Sequence, residues 1–300
     1  MEPPRGWAAW RSYAWGCADT VYAWVSSAGR SWTCGSERRK KNMFFSGGWG
    51  DLEAYAAQER GLMRHWAEHG GDWPLEGRGP VSWRAVGGRE GDVWMDEGLV
   101  RSPVAEAAGL PEEGGCATLR FLFVRARPGG TELPQTRAVC LHMAATGATD
   151  YEARTNAVAL PLLEKGVASV IMMPAWYGSR APPSQTHCYV ETVADYLRQT
   201  LSVVTEGGAI LRWLSDGFRV SAEEQYAEGQ LAVACSGFSW GGAMCAVAAV
   251  LSERKVAAVP CCGSVSPECM VSNRTAVVQP HERQSSSRGC AGDWHDEVAA

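Results

Sequence analysis

Several features that would place the chain in a function class are missing. None of its 300 residues fall in an unbroken apolar run of roughly 18, so no membrane-crossing helix is predicted. No C-x-x-C pair occurs among the 11 cysteines, which removes the usual spacing of a structural zinc site. An odd cysteine count without paired spacing is also no disulfide framework, and a reducing, intracellular compartment is the expectation. His65 and His69 are four apart on a helical pattern, but no H-E-x-x-H accompanies them. Neither a metal nor a cofactor is therefore expected. Excess positive charge is absent as well. The formal net charge is −5 and the basic run from Arg38 to Lys41 is local, which argues against nucleic acid as a partner.

With 46% hydrophobic and 20% charged residues, the chain has the composition of a globular protein and the length for one sizeable α/β core. Three zones follow. Residues 1–42 form a Trp-rich, then basic leader, in which Trp7, Trp10, Ala14, Cys17, Val21 and Trp24 recur at helical spacing. A packed amphipathic helix is the plain reading, and peripheral contact with a membrane surface the functional one. Residues 43–272 carry the patterned region. Residues 273–300 are polar and aperiodic and read as a disordered tail.

Within the patterned region, Leu52, Ala56, Glu59, Met63 and Trp66 predict one face of a helix that Gly70-Gly71 would end. Residues 77–91 read as a loop. Strand and helix patterns then alternate. Strands are predicted over 119–124, 138–143, 167–173, 231–235 and 256–261. Helices are predicted over 151–165, 190–214 (weakened at Gly207-Gly208) and 243–251. This is the order of a mostly parallel, doubly wound sheet with helices on both faces.

The sharpest motif is Gly237-Phe238-Ser239-Trp240-Gly241-Gly242. It fits the nucleophile elbow G-x-S-x-G, and an apolar strand leads in while a small-residue helix leads out, as that motif requires. The serine must stand clear of the sheet in a strained turn, and glycines at 237, 241 and 242 let strand and helix pass closely. Ser239 is the expected nucleophile. The second motif, His142-Met143-Ala144-Ala145-Thr146-Gly147, follows an earlier strand. A loop in that position supplies one oxyanion-binding N–H, and the residue after the nucleophile supplies the other. Ala144 and Ala145 are both candidates for the first, and Trp240 for the second. His142 reads as structural, because the base in such enzymes follows the serine in the chain.

Two further stretches, Phe44-Phe45-Ser46-Gly47-Gly48-Trp49-Gly50 and Pro174-Ala175-Trp176-Tyr177-Gly178-Ser179-Arg180-Ala181-Pro182, complete a set. In identity, order and spacing, these four stretches resemble the family of α/β-hydrolase domain-containing protein 18, over residues 43–265. The resemblance implies an α/β-hydrolase fold, a serine nucleophile at Ser239 and an oxyanion loop at 142–147. It does not define a substrate; an acyl ester, a lipid ester included, is the expectation at the level of the class.

The chain departs from that family in two ways. Ala145 stands where the family has glycine. Beyond Ser239 only 300 − 239 = 61 residues remain, and no further strand–helix pattern fills them. The last strands of such a sheet, with the loops carrying the acid and the histidine, are expected to be missing. His281 and His295 are the histidines after the serine, and Glu253, Glu268, Glu282, Asp293 and Asp296 are the candidate acids; none is assigned. Three readings stand: an active serine hydrolase, a hydrolase-like module without its base, or a truncated form of a longer hydrolase. Arg180 is read either as a contact for an anionic substrate group or as part of a surface turn.

Overall fold

The computed structural model describes residues 45–263, apart from 70–72, 78, 87–90 and 186–187. The expected ends of the first helix at Gly70-Gly71, the N-terminal helix, the polar tail, His281 and His295 lie outside the described residues. A helix, α1 (Leu52–His69), precedes two strands, β1 (Ser82–Ala85) and β2 (Val93–Arg101). Then come β3 (Thr118–Ala126), β4 (Ala138–Met143), and a second helix, α2, built from Glu152–Arg154, a π-helical turn Thr155–Ala159 and Leu160–Leu163. β5 (Val167–Met173), α3 (Val193–Asp216), the short β6 (Phe218–Arg219) and β7 (Gln225–Tyr226), β8 (Ala232–Phe238), α4 (Trp240–Leu251) and β9 (Ala257–Cys261) follow.

Seven strands form one sheet in the order β1-β2-β3-β5-β4-β8-β9. The first three contacts across it are antiparallel, and β5, β4, β8 and β9 run parallel. β4 and β5 read as near-continuous apolar sequence because they are buried almost throughout, whereas β8 leaves one face partly open and β9 is exposed. Phe121 and Phe123 of β3 join the core under α3 and α4, while Leu122 and Val124 pack with Ala159 and Leu163 of α2 on the opposite face. Each such buried side chain contributes about 1.5–3 kcal/mol.

Four expectations need correction. β1 lies within the 77–91 stretch read as a loop, where it forms a short, mostly exposed edge strand paired with β2; β2 was not predicted because it buries Asp96 and Glu97 among its apolar residues. Those charges are tolerated because Arg125 bonds Asp96 at 2.6 Å, and Arg84 and the Tyr151 hydroxyl bond Glu97. The buried face of α1 is rotated from the predicted stripe: Leu62 is buried, whereas Leu52 and Met63 are exposed. α3 runs unbroken through Gly207-Gly208. A Cβ on Gly207 would come within 2.9 Å of Met143 and 3.0 Å of Ala248, so the glycines let α3 press against β4 and α4. Finally, α4 begins immediately after Ser239, and not three residues later.

Candidate active site

The parallel strands β4, β5 and β8 end together, and the four sequence motifs converge there. Gly47 N–H donates to Glu191 O at 2.7 Å, and the carbonyls of Gly48 and Trp49 accept the first amides of α3, from Val193 and Ala194, at 3.0 Å each. The first motif thus closes the N-terminus of α3. Phe45 packs edge-on against Tyr196 of α3 (5.7 Å between centroids), and Tyr196 and Tyr177 lie 6.3 and 6.1 Å from the ring of Trp240. Gly147 has φ +77, and a Cβ there would meet the Tyr189 ring at 2.9 Å.

Ser239 sits between β8 and α4 at φ 57, ψ −123, a region that a residue with a Cβ enters at a cost of about 1–3 kcal/mol. Its neighbours hold it there. Its N–H donates to Cys261 O at 2.9 Å, and its carbonyl accepts from Gly242 at 2.9 Å and Ala243 at 3.3 Å. The elbow glycines are sterically required. A Cβ on Gly237 would fall 2.1 Å from Gly241 O, one on Gly241 2.6 Å from Ala144 O, and one on Gly242 2.6 Å from Cys261 O. These obstacles are backbone atoms and cannot swing aside. Among the described residues, the half-buried Ser239 hydroxyl has no hydrogen-bond partner and does not cap α4.

The 144–147 loop lies directly against the elbow, through Ala144 O and the start of α4. Ala144 is buried and Ala145 half-open. Trp240 is the first residue of α4, so its N–H has no carbonyl within the helix, and the Ala145 N–H follows the end of β4. Among the described residues neither amide has a backbone acceptor. The Gly241→Ala substitution should drive Met143 and Ala144 away from the elbow. We expect about 1–3 kcal/mol lost in thermal unfolding.

His142 is 3% exposed and bridges three strands. Its Nδ1 lies 2.7 Å from Ser236 Oγ on β8 and its Nε2 lies 3.0 Å from Ser169 Oγ on β5. Burial, aided by the nearby Arg154 guanidinium, pushes its pKa down to about 4. Both nitrogens are occupied, so His142 is structural, as its place in the chain suggested. In the unfolded chain it titrates near 6.5. The unfolded state therefore binds more protons between about pH 6.5 and 4, and stability falls as pH drops through that window. We expect the midpoint of thermal unfolding to drop on acidification from pH 7 to 4, a contribution of about 3 kcal/mol from this group, and the His142→Gln variant to lose that part of the dependence.

Arg180 meets neither expectation. It is fully buried, and all five of its N–H groups are used. Nη1 and Nη2 fork onto Glu206 of α3 at 2.8 Å each; the remaining donors reach Met173 O and Cys116 O. Ser102 Oγ also donates to Glu206, at 2.6 Å. The network rivets the loop after β5, which carries Tyr177, to α3. Sequence gave no signal for it, since the partners lie 26, 64 and 104 positions apart.

A sharp serine turn after a parallel strand, backed by an amide-bearing loop from the neighbouring strand, defines the α/β-hydrolase class. The chain belongs to the family described as alpha/beta hydrolase domain containing 18, which matches residues 42–275. Among solved structures, it is similar to an acetyl xylan esterase from Paenibacillus sp. R4, at 13% identity and TM-score 0.40, over 69% of this chain and 57% of that one. Acetyl xylan esterase 1 from Thermoanaerobacterium sp. is similar at 12% identity and TM-score 0.35, over 73% and 61%. A thermostable esterase from Pseudomonas putida is similar at 15% identity and TM-score 0.31, over 66% and 55%. The chain thus spans 55–61% of the length of these three proteins.

Proposed function

We propose that the chain is a serine hydrolase acting on acyl esters, with lipid esters among the candidates. Ser239 Oγ attacks the ester carbonyl, and the negative charge that develops on the carbonyl oxygen is received by the N–H groups of Trp240 and Ala145. Ala145 is preferred to Ala144 because Ala144 is buried with its carbonyl against Gly241. The alcohol leaves, and water then releases the acid from the acyl-enzyme. The observation that carries this reading is the strained backbone of Ser239, held at φ 57 by bonds on both sides while its hydroxyl stays uncommitted.

Proton transfer needs a histidine. His142 is unsuited, with both nitrogens bonded to strand serines. His281 and His295 follow the nucleophile in the chain and are the candidates. Hydrolysis of p-nitrophenyl butyrate by the full chain tests this. We expect the His281→Gln/His295→Gln double variant to lose at least about 1000-fold in kcat. Unchanged turnover in that variant would exclude both residues as the base.

A second reading is a binding module that keeps the elbow without a working base. It is favoured by the polar, aperiodic stretch 273–300, in which no strand-and-loop pattern frames His281 or His295. Removing the base from a serine centre leaves on the order of 10³-fold acceleration over water. Wild-type turnover at that low level, insensitive to the histidine substitutions, would support it.

A further inference from the structure

The tip of β9 carries two reactive groups that ester hydrolysis leaves unused. Cys261 and Cys262 are adjacent, and both are free and exposed. Cys261 lines an open apolar groove of about 730 Å³ along the face of β4, β8 and β9, so small reagents can reach it. Cys262 is held at φ 52, a left-handed backbone uncommon for a residue with a Cβ. The same short step of chain braces the nucleophile. The Cys261 carbonyl, which belongs to the peptide joining the two cysteines, accepts the Ser239 N–H at 2.9 Å. On its other side it lies 2.6 Å from the site of a Cβ on Gly242. A Cβ on the following Gly263 would come within 2.8 Å of Ala243 N. Backbone meets backbone throughout, so this peptide cannot turn without disturbing the elbow.

We propose that Cys261 and Cys262 are an oxidation site at which a reversible vicinal disulfide releases the backbone of Ser239. The oxidant is a low-molecular-weight disulfide of the glutathione type. One cysteine thiolate attacks it, forming a mixed disulfide and expelling one thiol. The second cysteine displaces the other thiol and closes the ring. Two protein S–H groups are oxidised to one S–S bond, and one external disulfide is reduced to two thiols. Adjacent Cα atoms are about 3.8 Å apart, below the roughly 4.4–6.8 Å that ordinary disulfides span. The ring is therefore strained and easily reduced, which suits a switch and not a permanent staple. Drawing both sulfurs into so small a ring turns the peptide between them and carries the Cys261 carbonyl away from the Ser239 N–H. The consequence for activity rests on the serine-hydrolase reading; the disulfide and the backbone change do not.

The test uses the full chain equilibrated with oxidised glutathione, then with dithiothreitol. The expected results are a proteolytic peptide holding both cysteines that is lighter by two hydrogens, and amide exchange at Ser239 accelerated about tenfold. Fluorophosphonate labelling of Ser239 should slow by a similar factor, and the reductant should restore all three. Cys262→Ser, which leaves Cys261 and its carbonyl in place, should label at the basal rate and respond to neither reagent. Failure to find the lighter peptide would overturn the proposal. So would a vicinal disulfide that leaves Ser239 exchange unchanged, or a Cys262→Ser chain that responds like wild type. Should the reduced chain take no label while exchange at Ser239 still shifts on oxidation, the hydrolase reading fails and this one stands.

Discussion

Ser239→Ala is expected to lose fluorophosphonate labelling completely and to hydrolyse p-nitrophenyl esters at least about 1000-fold more slowly than wild type. The size follows from the proposed role: in that reaction the hydroxyl forms and breaks the covalent bond, and the remaining amides can stabilise charge without supplying a nucleophile. Stability should scarcely move. The hydroxyl has no hydrogen-bond partner among the described residues, and alanine keeps the Cβ, so a change within about 0.5 kcal/mol is expected. Ser239→Gly should be equally inactive but more stable, by about 1 kcal/mol, because glycine adopts φ 57 without the Cβ clash. Paired measurements of labelling and thermal unfolding on the two variants check both halves. A Ser239→Ala chain that labels normally contradicts the assignment.

Arg180→Met is expected to be the most destabilising of the single substitutions considered. It leaves Glu206, fully buried, with only Ser102 as a side-chain partner among the described residues, and breaking a buried ion pair from one side costs about 3–5 kcal/mol. The loop from 174 to 183 would lose its ionic tie to α3 and keep the bond from Gln199 to the Ala175 carbonyl, so Tyr177 would be held less firmly beside Trp240. Replacing both partners, Arg180→Met with Glu206→Leu, should recover most of the loss, because no unpaired charge then remains. Urea unfolding of the single and double variants decides the matter. If the double variant is as unstable as the single one, the cost lies in the lost bonds to Met173 and Cys116 and not in the stranded carboxylate.

The parts of the fold legible in sequence are those that follow one physical rule. β4 and β5 are buried nearly throughout, so they read as apolar runs, and β8 keeps small or apolar residues on its half-open face as well. The elbow is legible because only glycine tolerates the contacts at 237, 241 and 242. β2 was hidden because it buries two carboxylates, and their partners Arg84 and Arg125 are 13 and 29 residues away. The faces of α1 were misplaced because the helix has only a shallow apolar bias, and tertiary packing selected Leu62 over Met63. Arg180 looked like a loop residue because nothing local announces a carboxylate on a distant helix. At the site, the tight turn at Ser239 and the loop packed against it could be located in advance, since a turn motif encodes them. The base could not, because a general base is defined by proximity in space, and the histidines after Ser239 carry no local pattern.

The most direct test is to treat the reduced, folded chain with a fluorophosphonate, measure its intact mass, and map the adduct by proteolysis. The account requires a single phosphonyl group on Ser239, absent after heat denaturation and absent in Ser239→Ala. A folded chain that stays unmodified, or that carries the group on another residue, would contradict it.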